Sequence, residues 1–229
     1  MIPKKFNKDL SSKFTLYFRV MTSKKSVAEK LLQVNAVKLS PENPFTWASG
    51  WKSPIYCDNR KVLSFPYVRE FIKSELCNVI FSQYPDAECL AGVATAGIAW
   101  GAMVADQLKL PYIYVRPKPK EHGLGNQIEG AYTAGQKVVV IEDLISTGKS
   151  SLQVVEVLRA AGMEVVAMVS IFNYGFDVAV QAFEKANVPY ISLSDYKTLI
   201  GLAVEKGTIS KETEEVLLKW SNAPAEWGI

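Results

Sequence analysis

The chain has 229 residues, 48% of them hydrophobic and 21% charged, with a formal net charge of +3. That is the balance of a globular domain with a substantial apolar core, and so small a basic excess suits an anionic small molecule as well as any larger partner. The cysteines Cys57, Cys77 and Cys89 form no C-x-x-C pair and His122 is the single histidine, which excludes a zinc knuckle, a disulfide framework and a His-rich metal site and makes a reducing cytoplasm the expected setting.

Residues 1–22 hold Lys4, Lys5, Lys8, Lys13 and Arg19 against Asp9, without the apolar stretch or cleavage site of a signal peptide. Met21 offers an alternative start, so a flexible extension is expected there. Ser26–Val34 has the apolar spacing of a short helix. Pro41–Arg60, dense in aromatic residues, Pro and Gly, predicts an irregular hairpin, and Pro66 opens a helix to about Ser82. Strand-like apolar runs then recur at Cys89–Val93, Tyr112–Val115, Lys137–Ile141, Val165–Phe172 and Tyr190–Leu193. Helical stretches at Ile98–Leu108, Ser150–Ala161 and Phe176–Ala186 separate most of them, and two more helices follow at Asp195–Lys206 and Ser210–Trp220. Continuous apolar strands alternating with amphipathic helices predict an α/β fold, a parallel sheet flanked by helices on both faces. The uncharged run Cys89–Ala105 is too short and too rich in Gly and Ala to cross a membrane. No repeat or linker divides the chain.

Two segments carry chemistry. Val138–Ser151 reads as a strand, a loop and a helix start, with Glu142 and Asp143 at the carboxyl end of the strand, where open α/β sheets bind ligands. Ser146–Ser150 brings backbone N–H groups and hydroxyls to a helix N-terminus, a site for a phosphate dianion, and Gly148 lets the backbone come close. Gly148-Lys149-Ser150 imitates the end of a Walker A loop, but Asp143 stands where that loop needs glycine, which rules it out. The bland alternative is a tight turn with a Ser cap. The second segment, Arg116–Ala134, has no periodicity and is broken by Pro117, Pro119, Gly123, Gly125 and Gly130; a loop this long inside a domain is usually functional. Arg116, Lys118, Lys120 and His122 would neutralise a departing anion, with the glycines as hinges; a solvated basic loop is the alternative.

The 138–151 segment resembles the phosphoribosyl diphosphate (PRPP) motif of type I phosphoribosyltransferases. The resemblance implies that Glu142 and Asp143 face the ribose hydroxyls and that the run Glu142, Asp143, Leu144, Ile145, Ser146, Thr147, Gly148, Lys149 and Ser150 binds PRPP. Phe45–Arg60, with Ser49-Gly50 and Ser53-Pro54, and Arg116–Gly123 are similar to the hairpin and catalytic loop of the orotate phosphoribosyltransferases. That family implies a fold with a small N-terminal hood (23–65) on a core from 66, residues 23–229 forming one domain. It also implies transfer of ribose 5-phosphate from PRPP to orotate, catalysis by Lys120, His122, Asp143 and Glu142, PRPP contacts from Arg116, Lys118, Lys120 and His122, and Mg²⁺ held largely by substrate oxygens rather than by a protein metal cage. A homodimer whose loops serve each other's sites follows from the same likeness, with no nucleic acid and no membrane involved.

Thr95, Ala96 and Gly97 form a second strand-to-helix turn, either a diphosphate loop or simply close packing. On the orotate side, Ser146, Lys52 and Tyr56 are the candidates, with core packing the alternative for Tyr56. Ala48 stands where many bacterial members have Lys, and the Arg that grips the carboxylate in those members falls near Asn173-Tyr174, where neither residue is charged. The carboxylate then relies on backbone donors, Lys52 or an unplaced side chain. A purine phosphoribosyltransferase and a PRPP-sensing regulator are the rival functions. The Ser49-Gly50…Ser53-Pro54 segment speaks against the first, and Arg116, Lys120 and His122 against the second.

Overall fold

The computed structural model of the protein describes residues 24–47, 50–119 and 126–227; the expected N-terminal extension therefore lies outside the described residues, as do Lys120 and His122. A six-stranded sheet forms the centre, in the order β10-β9-β8-β5-β6-β7. Its strands are β5 (Cys89–Val93), β6 (Tyr112–Val115), β7 (Ile128–Glu129), β8 (Lys137–Ile145), β9 (Glu164–Asn173) and β10 (Tyr190–Asp195). Neighbours pair in parallel except for the antiparallel edge β6–β7.

The strands are apolar throughout because both faces are covered. Leu90, Val139, Ile141, Val169 and Ile171 point into one core, under α2 (Pro66–Gln83), α3 (Ala96–Leu108), α6 (Tyr196–Glu205) and α7 (Lys211–Asn222). Cys89, Ala91, Val138, Val140 and Met168 point into the other, under α4 (Lys149–Ala160) and α5 (Asp177–Lys185). Neighbouring residues go to opposite faces, the period of a pleated strand.

Chain order sets the ligand edge. From β5 the chain crosses through α3 to β6 on one side; from β8 it crosses through α4 and α5 to β9 and β10 on the other. The strand order reverses between β5 and β8, and at such a switch point the two following loops diverge and leave a crevice at the carboxyl ends of the strands. The turns 94–97 and 146–148 flank it.

The N-terminal part sits over this edge. It comprises a helix α1 over 24–33, an antiparallel pair β1 (Val37–Leu39) with β4 (Ile55–Cys57), a hairpin β2 (Phe45–Thr46) with β3 (Lys52–Ser53), and a 3₁₀ helix over Asn59–Ser64. Its residues Leu31, Val37, Ile55 and Val62 belong to the same apolar cluster as Ile72, Leu76 and Trp100 of the core helices. An aromatic knot fastens the hairpin. Trp47 packs against Tyr174 with ring centres 5.0 Å apart and edge-on to Trp220 at 5.7 Å, while Tyr174 stacks on Phe176 at 5.4 Å. The Trp220 indole N–H donates to the Lys52 carbonyl at 3.1 Å.

Three sequence expectations need correction. β8 runs to Ile145 instead of Ile141, still paired with β9 through Leu144↔Phe172 and Ile145↔Asn173, so Leu144 and Ile145 are strand residues and Ile145 is buried. The loop after Arg116 ends in a strand, β7, whose two residues are too few to show periodicity. The hood contributes two short antiparallel pairs where a single hairpin was expected. The cap at Ser210 forms as expected, its Oγ accepting from Thr213 N at 3.2 Å. No helix among the described residues is long and apolar enough to cross a membrane.

Trp220 is fully buried at the centre of the knot. Trp220→Ala is expected to cost about 3–5 kcal/mol of unfolding free energy and to lower Tm by roughly 10 °C, as measured by urea and thermal denaturation.

Candidate active site

β5 and β8 pair only as far as Gly92↔Ile141. Beyond that point β8 keeps β9 as its one strand neighbour, and its other edge opens on the crevice. Glu142 and Asp143 occupy this half-paired stretch, and their carboxyls lie close enough to interact directly with each other. Glu142 is 5% exposed; its Oε1 accepts from the Asp143 N–H at 2.9 Å and its Oε2 from the Ser151 hydroxyl of α4 at 3.1 Å. Asp143 is half-buried. The two acids are thus unequally buried, with Glu142 bonded to Ser151 of α4 and Asp143 the more accessible of the pair.

Burial, and after it the charge of Asp143, pushes the Glu142 carboxyl well above its ordinary range. Burial also raises Asp143, against the opposing effects of its hydrogen bond with Glu142 and the nearby Arg60 charge. Two adjacent carboxyls under shared burial hold a proton more firmly than either would alone in water.

The hood reaches this pair through Asn59. That side chain is completely buried, its Nδ2 donates to the Asp143 carbonyl at 2.7 Å, and its Oδ1 accepts from the Cys57 thiol at 3.4 Å. Asp58 closes the turn by accepting from the Arg60 backbone N–H at 3.3 Å and from its Nε at 2.7 Å. The sequence reading assigned no role to Asn59 or Arg60, although Asp58-Asn59-Arg60 closes the Phe45–Arg60 segment. Ser151 escaped it too, lying one residue past the assigned phosphate loop.

After Ile145 the chain turns into α4 through Ser146, Thr147 and Gly148. Gly148 has φ +79° and caps the helix without a side-chain bond. A Cβ there would meet the Phe183 ring at 2.9 Å, so conformation and space both require glycine. The first amides of α4, among them those of Lys149 and Ser150, have no intrahelical acceptor. With the half-buried Ser146 and Thr147 beside them, they have the chemistry of a helix end suited to an anion. Across the crevice lies the turn Thr95, Ala96, Gly97, where the Ala94–Thr95 peptide bond is cis. A Cβ on Gly97 would come within 2.5 Å of the Ile141 carbonyl, so Gly97 is needed for close packing of α3 on β8, while Thr95 is exposed.

The remaining candidates scatter. Tyr56 is exposed, its ring centre 5.6 Å from that of Phe45, so core packing does not account for it. Lys52 is exposed on the hairpin and donates to Thr46 Oγ1 at 2.9 Å. Arg116 is held at the base of its loop. Its N–H donates to the Gln127 carbonyl and its own carbonyl accepts from Gln127 Nε2, both at 2.9 Å, while Nη1 lies 3.5 Å from Glu129 Oε1. Lys118 is exposed. A cavity of about 1160 Å³ runs along β10 between the ends of α2 and α7 and is lined by Tyr174, but by none of Glu142, Asp143 and Ser146. Among the described residues no cluster of three or more His, Cys, Asp or Glu side chains could cage a metal.

Residues 68–203 match the family described as phosphoribosyl transferase domain, which agrees with the parallel sheet and the acid-plus-phosphate-loop strand end. The chain is 55% identical over 205 residues to the orotate phosphoribosyltransferase of Porphyromonas gingivalis, a match covering 90% of this chain and 98% of that protein. Among solved structures it is similar to the orotate phosphoribosyltransferase of Aeropyrum pernix, at 30% identity and a TM-score of 0.70, covering 80% of this chain and 99% of that one. It is also similar to the UMP synthase of Leishmania donovani, at 27% identity and a TM-score of 0.73, over 86% of this chain and 42% of that longer one. The chain belongs to the orotate phosphoribosyltransferases.

The raised Glu142 carboxyl has a consequence for stability. The folded protein binds this proton more tightly than the unfolded chain, so the contribution of neutral Glu142 is complete below the ordinary glutamate value of 4.5. It is lost as pH rises through the raised folded value. Glu142→Gln, a neutral isostere whose Oε1 can still accept from the Asp143 N–H while its Nε2 donates to the Ser151 hydroxyl, is expected to leave Tm nearly unchanged at pH 4.5 and to raise it by roughly 2–4 °C at pH 8, in thermal melts of the ligand-free protein.

Proposed function

We propose that the protein transfers the 5-phosphoribosyl group of PRPP to N1 of orotate, giving orotidine 5′-phosphate and diphosphate. The observation that carries this reading is the strand end itself: Asp143 beside the switch-point crevice, followed within a few residues by the Ser146–Ser150 turn into α4. PRPP is a sugar with a 5-phosphate at one end and a diphosphate at the other, and the crevice offers matching surfaces in that order. Ser146, Thr147, Gly148, Lys149 and Ser150 hold the 5-phosphate, Asp143 faces the ribose, and the turn at Thr95–Gly97 receives the diphosphate.

In the reaction the bond from C1 to the diphosphate oxygen breaks, its electron pair leaving with the diphosphate. The orotate N1 lone pair forms the new bond as N1 loses its proton. Positive charge develops on the ribose at the transition state, and the Asp143 carboxylate is placed to stabilise it. Glu142 serves by keeping β8 and Asp143 in position. Lys118, Lys120 and His122, with Arg116 at the loop base, neutralise the charge building on the diphosphate, and Tyr56 offers an aromatic face to the base. Asp143, the less buried of the two acids, is the carboxylate that Mg²⁺ would meet, and with no cage of acids among the described residues such an ion would be held mainly by PRPP oxygens and would draw charge from the leaving group. We infer further that residues 23–229 act as one domain, that the enzyme works in the cytoplasm, and that it is a homodimer with loops crossing to the partner's site.

The direct test incubates purified protein with PRPP, Mg²⁺ and either orotate or uracil, following the loss of orotate absorbance. Orotate should be consumed and uracil should react far more slowly. Asp143→Asn should lower kcat by at least about 100-fold with an unchanged Tm; equal rates with the two bases would remove the orotate assignment.

The shared site is tested by mixing two inactive variants, Lys120→Ala and Asp143→Asn. A mixed dimer carries one site with an intact acid and an intact loop, and one with both defects. Activity should return toward about a quarter of wild type under random exchange. Demonstrated exchange without recovery would place each loop over its own chain.

A further inference from the structure

Orotate sets a particular electrostatic problem. Its carboxylate is on C6, next to the N1 atom that joins the ribose, so the anion must settle close to the sugar and therefore close to the acid that faces the sugar. An anionic base approaching the Glu142–Asp143 strand end is repelled by any ionised carboxylate there, and a cation nearby offsets that repulsion. The positions considered so far do not supply one. Tyr174, in the region where a carboxylate-binding Arg was sought, is 3% exposed and packed among Trp47, Phe176 and Trp220. The Lys52 ammonium is on the hairpin, bonded to Thr46. Arg116 lies at the loop base beside Glu129.

Arg60 meets the requirement by position. It follows Asn59, whose amide is bonded at 2.7 Å to the carbonyl of Asp143 itself, so the turn that carries Arg60 is fastened to the ribose-facing residue. Its Nε is fixed on Asp58 Oδ1 at 2.7 Å, and its side chain is 59% exposed. Nη1 and Nη2 make no hydrogen bond or ion pair within the described residues. With Nε occupied, the end-on fork of the guanidinium is free, and that fork matches the two oxygens of a carboxylate.

We propose that Arg60 recognises the orotate carboxylate, Nη1–H and Nη2–H donating to its two oxygens while Asp58 holds Nε and fixes the side-chain direction. Arg60 would then be the specificity-determining residue that separates orotate from uracil, and its charge would also separate the bound carboxylate from Asp143. The Arg60 charge already acts on the Asp143 carboxyl, holding it below the value that burial alone would give.

The proposal rests on the orotate reading above, and the test keeps the two apart. Orotidine 5′-phosphate and uridine 5′-phosphate differ only in the carboxylate, and their dissociation constants can be measured by quenching of tryptophan fluorescence without turnover. Wild type should bind orotidine 5′-phosphate more tightly. Arg60→Ala should weaken orotidine 5′-phosphate on the order of 10- to 100-fold and change uridine 5′-phosphate by less than about threefold, with Tm unchanged because the side chain is exposed. Arg60→Lys should recover part of the loss, since a point charge replaces the fork. If wild type bound both nucleotides equally, the orotate reading would fall and this proposal with it. If wild type discriminates but Arg60→Ala keeps that discrimination, or loses both ligands to the same degree, the orotate reading stands and Arg60 is not the carboxylate's partner.

Discussion

β8 has two strand neighbours up to Ile141 and one beyond it, and the rest of the site depends on that asymmetry. Where β5 turns away into α3, the backbone and side chains of Glu142 and Asp143 lose a lateral partner but stay rigid through β9. A strand paired on both sides has no room for a ligand at its edge, and an unpaired one would not hold a side chain in place. The half-paired stretch is both ordered and open, the physical content of the switch-point rule for parallel sheets. Gly97 makes the divergence possible by letting α3 begin against the Ile141 carbonyl.

The open edge still needs a partner for its backbone, and the hood provides it. The Asn59 amide on the Asp143 carbonyl satisfies a buried acceptor that no sheet neighbour reaches. The same contact carries Asp58, Arg60 and Tyr56 to the site. Hood and core are joined a second time by the aromatic knot around Trp220, where the C-terminal helix packs on the N-terminal hairpin. One contact is polar and directional and the other apolar and extensive, so the hood is placed by the first and held by the second.

Electrostatically the ligand-free site is an acidic strand end under partial burial. Glu142 and Asp143 share an environment that favours protons, while the cations of the chain stand around them rather than on them: Arg60 on the hood, Lys149 at the start of α4, Arg116 and Lys118 on the loop. Such a site is incomplete without its substrates. Under the proposed reaction, a 5-phosphate, a diphosphate and an anionic base would each bring negative charge to a different cation, and the developing positive charge of the ribose would meet the acids.

Much of this was legible in the sequence because it is local. The strand Cys89–Val93 and the strand Tyr112–Val115 were read to the residue, and the helix from Pro66 to within one, since continuous apolar runs and a proline at a helix start report on their own neighbourhood. The turn into α4 was legible for the same reason: Gly148 and its hydroxyl neighbours need only the next helix turn to have meaning. The end of β8 was misjudged because acidic residues in a strand look like a loop until β9 is seen beside them. The unequal burial of Glu142 and Asp143 and the attachment of the Arg60 turn to Asp143 were decided by tertiary structure alone. Those features arise where β8, α4 and the hood converge, in contacts such as Asn59 to Asp143 that join residues distant along the chain, and no local pattern encodes which face of a strand will be covered. The sequence by itself determined the elements and the chemistry they carry; the packing of the hood on a half-paired strand decided which of those side chains stand at the site.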